Sequence, residues 1–424
     1  MITGKIFTND NCIGCNRCIL CCPCIEANIA LIKDGLKTVY VDGKKCITCG
    51  ECLRVCTHDA RDYIDDTDRF LADIKAGVNI SLIAAPALLC NVPEWPRLLG
   101  FLKSLGVNTI YDTSFGADIC TWAYLKYITM SKARGLISQP CPAIVNYIEH
   151  YVPELLSRLA PIHSPAICAA IYMKKYKNIP GAYAFLSPCV AKGDEFNDPN
   201  TGGLIKYNIT FRKLLKQLDE LGYDYSKSPP AEYDNPPHGL GAIYPNPGGL
   251  QANIEQYVQG EWIFKTEGQP RVSSFLHEYV NERAGSPFLV DVLNCKGGCN
   301  SGTGACMTQD KEYVIDRAMH EVYREASQNK PDFDLFDNEL DLEDFYRSFT
   351  PKKIMPIFVD RHEMENAFAA LGKPSHEYRT TDCRACGFAT CQEMAVAVAK
   401  GINHVDNCKE YLWSLVKKEK LAND

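Results

Sequence analysis

The stretch GAYAFLSPCVAKGDE (181–195) opens as an apolar strand and runs at once into a cysteine, Cys189. Two other strands end the same way: GLISQP (135–140) leads to Cys141, and FLVDVLN (288–294) leads to Cys295. VNISLIAAP (78–86) and VNTIYD (107–112) read as further apolar strands, with amphipathic helices between them. Strand and helix in alternation predict an α/β domain. In open α/β sheets ligands gather at the carboxyl ends of strands, so the three cysteines can converge on one centre despite their wide spacing.

A chain of 424 residues exceeds one ordinary core, and at about 100 to 200 residues per domain roughly two to four domains are expected. Of its 22 cysteines, ten fall between residues 12 and 56, eight between 90 and 306, and four between 383 and 408. The opening MITGKIFTND lacks the apolar region of a secretory signal, and no run reaches the ~18 apolar residues of a membrane span. A cytoplasmic location without membrane insertion is therefore expected, and in that reducing compartment close-set cysteines point to metal rather than disulfides. With 45 basic and 52 acidic residues intermixed and a net charge of -7, the chain offers no basic footprint, and no nucleic-acid partner is expected.

The cysteine territories predict modules at 1–70, 71–350 and 351–424. The Pro- and Gly-rich segment at 222–250 reads as a long surface loop, and the acidic stretch DFDLFDNELDLEDF (332–345), followed by Pro351 and Pro356, reads as a linker to the last module. At the front, Cys12, Cys15, Cys18 and Cys22 before Pro23 give the C-x2-C-x2-C-x3-C-P spacing of bacterial ferredoxins, and Cys46, Cys49, Cys52 and Cys56 repeat it without the proline. Because the fourth cysteine of each run ligates the other cubane, the sets are Cys12, Cys15, Cys18, Cys56 and Cys46, Cys49, Cys52, Cys22. Cys21 and Cys24 are left over as spare thiols. In the last module Cys383, Cys386, Cys391 and Cys408 follow C-x2-C-x4-C-x16-C, which resembles a small single-cluster 4Fe-4S module; a tetrathiolate zinc site would use the same four residues.

The middle module resembles the FeFe-hydrogenases. Three short signatures carry the resemblance, in order and in degenerate form: SQPCPAIVNYIEHYVPEL (138–155), SPCVAKGDE (187–195) and LNCKGGCNSGTG (293–304), with AAPA (84–87) and DTSFGAD (112–118) beside them. The resemblance covers roughly residues 78 to 310 and implies an α/β two-lobed H-cluster domain, preceded by a ferredoxin-like α+β domain and followed by a small C-terminal iron-sulfur module. It implies Cys141, Cys189, Cys295 and Cys299 as ligands of a cubane. Cys299 would also bridge to a two-iron subcluster bearing carbonyl, cyanide and a dithiolate, giving an H-cluster in addition to three 4Fe-4S clusters. Lys192 would donate to a cyanide, and Glu195 would pair with it or line the pocket. Ala85, Pro86, Ser187, Pro188, Tyr244 and Leu293 would complete the binding site. Cys141 precedes Pro142 at a helix start, where free amides and the dipole favour an anion, and Gly297, Gly298, Gly302 and Gly304 are expected to let backbone approach the metal.

Several residues depart from the family. Pro140 stands where a proton-donating cysteine is usual and has no exchangeable proton, while Tyr124 and Tyr127 occupy the helix that carries glutamates in fast enzymes. Ser187 and Leu293 replace methionines, and Tyr244 replaces a phenylalanine. Such changes match the divergent branch proposed to sense hydrogen. The expected activity is slow, reversible conversion of H2 to protons and electrons, with ferredoxin or another redox protein as partner and hydrogenase maturation proteins supplying the subcluster. The alternatives are an H2 or redox sensor with a signalling partner, and an iron-sulfur assembly or electron-transfer protein without the two-iron unit.

Overall fold

A computed structural model describes residues 4–33, 35–282, 286–355 and 357–423; Pro356 lies outside the described residues. The chain divides into two compact units, Met1–Ile64 with Ile354–Asp424, and Asp65–Lys353. Residues assigned above to the first and third modules thus form one unit. Two hydrogen bonds stitch its two ends together: the Ala30 amide donates to the Ile402 carbonyl at 2.8 Å, and the Lys37 side chain donates through Nζ to the Asp406 carbonyl at 3.1 Å.

In this unit, strands β1 (Ile6–Thr8), β2 (Asn28–Lys33), β3 (Leu36–Val41) and β4 (Arg61–Tyr63) form two antiparallel pairs, β1 with β4 and β2 with β3. Two short helices, Arg17–Leu20 and Glu51–Val55, carry Cys18 and Cys52 and complete the ferredoxin-like α+β arrangement. The C-terminal part is helical. Asp360 with Glu363 and Thr390 with Glu393 form capping boxes that start the helices Arg361–Ala370 and Cys391–Ala399, each satisfying amides that a helix start leaves free.

The second unit contains two parallel sheets, which make its two lobes. Its strands are β5 (Ile80–Ala84), β6 (Val107–Asp112), β7 (Leu136–Ile137), β8 (Ala182–Ser187), β9 (Ile205–Thr210), β10 (Ile263–Glu267) and β11 (Leu289–Leu293). One sheet runs β6-β5-β8-β9 and the other β10-β11-β7. Every residue of β5 and β11 is buried, as parallel strands covered on both faces require. The helix Thr113–Ser131 is capped by Asp112, which accepts from the Ser114 amide at 2.8 Å. Its residues from Thr113 to Tyr124 are all buried, the mark of a core helix rather than a surface one. Close approach to the helix Pro165–Ile171 depends on Gly116, where a Cβ would stand 2.2 Å from the Pro165 carbonyl oxygen.

Two sequence expectations fail here. The second half of the supposed surface loop is core: Leu240, Ala242 and Ile243 are buried in a 3-10 turn, and a helix follows at Gly249–Glu255. Nor is the acidic stretch a linker. Its residues form a helix, Phe333–Glu339, and a turn, Leu342–Phe345, that bury Phe336, Leu340 and Phe345 in the main core, while Trp122 Nε1 donates to Asp337 at 2.7 Å. The acidic residues mask, in the sequence, an apolar face that the packing buries. Among the described residues, no helix is long and apolar enough to cross a membrane.

Candidate metal centres

The carboxyl ends of β5, β6, β7, β8 and β11 open on one cavity, with about 800 Å³ free of protein atoms and part of it open to solvent. Cys141, Cys189, Cys295 and Cys299 line it, as do Lys192, Ala85, Pro86, Pro188, Tyr244 and Leu293. Ser187 does not: its hydroxyl turns back onto Cys189, accepting from that amide at 3.0 Å. Pro140 is part of the wall, and Phe185, Pro165 and Ala166 keep the rest of it apolar. Among the described residues, no three or more Cys, His, Asp or Glu side chains are drawn up around the position of a single ion; the thiols frame a larger space.

These thiols resist ionisation. Burial pushes Cys189 up to about 12, and the neighbouring Cys141 and Cys295 add to the effect while Lys192 opposes it. Burial likewise raises Cys299, with Cys141, Cys295 and Cys189 contributing. Burial raises Cys141 as well, opposed by the amides of Ala143 and Ile144 at the start of the helix Pro142–Tyr151 and by that of Asn294 just past β11, all of which point at its sulfur. Thiols held protonated in this way by an apolar pocket become thiolates only beside a cationic group, and iron is such a group.

Two of the glycines also let backbone meet backbone. A Cβ on Gly302 would stand 2.3 Å from the Pro188 carbonyl oxygen, and one on Gly298, whose φ is +74°, 2.1 Å from that of Pro245. They bring the Cys295–Cys299 loop against the backbones that carry Cys189 and Tyr244. Gly302→Ala is therefore expected to push Cys299 away from Cys189 and to cost about 1–3 kcal/mol, measurable by thermal unfolding alongside iron content. Unchanged stability and iron would show that the loop tolerates the shift.

Behind the cavity lies a buried chain of alternating charges. Lys192 Nζ donates to Glu195 Oε2 at 2.5 Å and to Ser164 Oγ at 3.2 Å; Arg347 reaches Glu195 Oε1 at 3.3 Å and Asp198 Oδ2 at 3.4 Å. Lys352, half exposed, meets Asp198 at 3.7 Å and Glu149 at 2.7 Å. Burial alone would raise Glu195, but the Lys192 and Arg347 cations more than reverse it and hold the carboxyl below its usual value. Sequence reasoning found Lys192 and Glu195. Arg347 carries no local signal, since it follows the stretch read as a linker.

A second clamp sets Tyr244. Asp118 accepts the amides of Gly239 and Gly241 at 2.6 and 2.9 Å, His238 Nε2 lies 3.3 Å from Asp112 Oδ2, and Tyr244 shares a hydrogen bond with Thr121 at 2.7 Å. Burial raises Asp118 to about 7 against those amides. For His238 burial is outweighed by Asp112, which raises it to about 9. Tyr124 is fully buried with its hydroxyl on Gln139, and Tyr127, partly buried, packs edge-on against Tyr346.

In the first unit Cys12 and Cys15 lie close enough to Cys18 to raise it further after burial, and Cys22 and Cys46 act in the same way on Cys49 and Cys52. Cys22 is thus beside the thiols of the second run. Cys56 accepts the Ala60 amide at 3.3 Å. Of the spare thiols Cys24 is buried and Cys21 half-buried. Cys386 is raised by burial and then by Cys408 and Cys383, while Cys391 begins its helix with its amide on Asp382 at 2.6 Å.

Residues 82–273 match the family model of the iron only hydrogenase large subunit, C-terminal domain; residues 5–57 match a 4Fe-4S dicluster domain, and residues 380–410 match a putative Fe-S cluster domain. The chain is 24% identical over 371 residues to the NADP-reducing hydrogenase subunit HndD of Solidesulfovibrio fructosivorans, covering 70% of this chain and 63% of that one. It is 26% identical over 379 residues to iron hydrogenase 1 of Clostridium pasteurianum, covering 64% and 66%. The chain therefore spans just under two thirds of these relatives. A cytosolic Fe-S cluster assembly factor, NAR1 of Encephalitozoon cuniculi, is 24% identical over 213 residues, 46% of this chain and 56% of that one. Among solved structures, a variant of the FeFe-hydrogenase HydA1 from Chlamydomonas reinhardtii aligns with a TM-score of 0.52 at 15% identity, over 69% of this chain and all of that one, which establishes the fold.

Proposed function

We propose that this chain, which resembles the FeFe-hydrogenases along an iron-only hydrogenase large-subunit domain set between 4Fe-4S modules, holds an H-cluster in the cavity at its strand ends and interconverts H2 with protons and electrons slowly. The observation that carries this reading is the convergence of Cys141, Cys189, Cys295, Cys299 and Lys192 on one apolar cavity. When bound there, an H-cluster supplies the two-electron chemistry of H2.

The chain's own residues do the rest. Cys141, Cys189, Cys295 and Cys299 would hold the cubane as thiolates, with Cys299 the ligand that would also serve the two-iron unit. Lys192 has three N–H donors, of which Glu195 and Ser164 take two, leaving one for an anionic ligand inside the cavity. Glu195 acts through Lys192: it fixes the ammonium and stays charged itself. Ala85, Pro86, Pro188, Phe185 and Leu293 keep water from the centre, and Tyr244, committed to Thr121, closes one side. The cysteines of the two front runs and of the C-terminal module would hold the clusters that supply electron exchange with a ferredoxin-type partner, and maturation proteins would supply the two-iron unit.

Pro140 limits the rate. General acid-base delivery is typically worth about 10²- to 10⁴-fold, and proline offers no proton. Pro140→Cys is expected to raise steady-state H2 production by about tenfold, short of that full range because Tyr124 lies buried on Gln139 and extends no relay. An unchanged rate, with the cluster intact, would place the limit elsewhere. The reading itself is tested by the infrared spectrum of the matured protein, where metal-bound carbonyl and cyanide bands are expected.

A second reading rests on the similarity to the NAR1 assembly factor and on Pro140. A protein of that kind would keep the four thiols and hold only a cubane, or would sense H2 and report to a signalling partner. Absent bands favour the assembly or electron-transfer role. Bands with negligible turnover favour the sensor.

A further inference from the structure

The first unit buries a cation that none of the cluster motifs contains. Arg61, at the start of β4, is 7% exposed. Its Nη2 donates to Cys18 Sγ at 2.9 Å and to Asn28 Oδ1 at 2.7 Å. Its Nη1 is buried with no hydrogen-bond partner, and among the described residues no carboxylate pairs with it. A buried guanidinium without an anion is costly, so its compensation has to come from elsewhere. The candidates are in place, because after the opposing effect of burial the groups that hold its charge are Cys18, Cys52 and Cys12. Those sulfurs belong to both expected cluster sets, and a cluster sulfur is an acceptor that the orphaned Nη1 can reach for.

We infer that Arg61 is a fixed cation placed between the two front clusters, raising the reduction potential of the cluster held by Cys12, Cys15, Cys18 and Cys56 most and that of its partner less. The inference rests on the reading of residues 5–57 as a two-cluster domain. Reduction adds one electron to a cluster, and a nearby positive charge stabilises the more negative product. A hydrogen bond to a ligand sulfur acts in the same sense, and net charge and such bonds are the levers that set these potentials. Arginine stays protonated at any working pH, so the effect is constant rather than switched. The direct bond to Cys18 favours electron uptake at the first cluster more than at its partner.

The test is an EPR-monitored redox titration of the full chain, loaded with iron and sulfide, for the wild type, Arg61→Gln, Arg61→Lys and Asn28→Asp. Asn28→Asp keeps the guanidinium and cancels its charge with an isosteric carboxylate. Arg61→Gln and Asn28→Asp are expected to weaken one-electron reduction of one cluster tenfold or more, a fall of about 59 mV or more. A second potential should fall less, the remaining clusters should not move, and Arg61→Lys should stay near the wild type. Unmoved potentials in either charge-cancelling variant with full iron content overturn the inference. So does loss of front-cluster iron from both, which would make Arg61 a purely structural residue. Iron and acid-labile sulfide in the wild type report separately on the two-cluster reading: too little for two front clusters refutes that reading, whatever Arg61 does.

Discussion

Cys299→Ser is expected to give a protein without metal-bound carbonyl and cyanide bands and without hydrogen activity, while iron at the front and C-terminal cysteines remains. The side chain lies in the cavity wall with Cys141, Cys189 and Cys295, whereas the backbone around it is held independently. The Cys299 amide donates to the Pro245 carbonyl at 2.8 Å, and its own carbonyl accepts the Gly302 amide at 2.9 Å. The substitution therefore removes a ligand without releasing the loop. Serine oxygen is a hard donor and a poor bridge for soft iron-sulfur centres. Outer-shell changes at metal sites typically cost about 10- to 100-fold in affinity or activity, and loss of a bridging ligand should exceed that. Bands and turnover that survive in Cys299→Ser would remove Cys299 from its bridging role.

Arg347→Leu should produce the largest loss of stability. It strips a guanidinium from Glu195 and Asp198, both buried, and breaking a buried ion pair on one side typically costs about 3–5 kcal/mol. For a unit that runs from Asp65 to Lys353 that is a fall in Tm of roughly 5 to 8 °C. The pH dependence follows from Glu195. Its folded pKa lies below the ordinary carboxylate value, so its contribution is present above that value and lost as pH falls through the folded pKa. With Arg347 gone the folded pKa rises, and acid unfolding should begin at higher pH. Retention of the two-iron unit should fall too, because Lys192 loses the fixed carboxylate that orients it; Arg347→Lys should recover part of both. Thermal and acid unfolding with infrared occupancy checks this, and wild-type values in all three would show that the Lys192 site needs no such support.

The cysteine spacings, the absence of a basic footprint and the strand-helix alternation are local properties of the chain, and the sequence alone determined them. VNTIYD reads as a strand and forms β6 from Val107 to Asp112, because an apolar β-branched run carries its own signal. The direct passage from strand into cysteine at Cys189 and Cys295 likewise placed those residues at sheet ends before any packing was known. Lys192 and Glu195 were legible because they share a turn with Cys189, three and six residues on.

What the tertiary structure decided are the partners that come from afar. Arg347 reaches Glu195 across 152 positions and Arg61 reaches Cys18 across 43, and neither arginine differs in its own neighbourhood from a solvated surface charge. The burial of Leu240–Ile243 follows from Asp118 accepting amides more than a hundred residues away, a bond that overrides the Pro and Gly content that made the segment look like an exposed loop. Composition reports what a residue can do, but whether a charge faces water or an opposite charge depends on which distant segment folds over it. That is a matter of three-dimensional packing, which no spacing along the chain records.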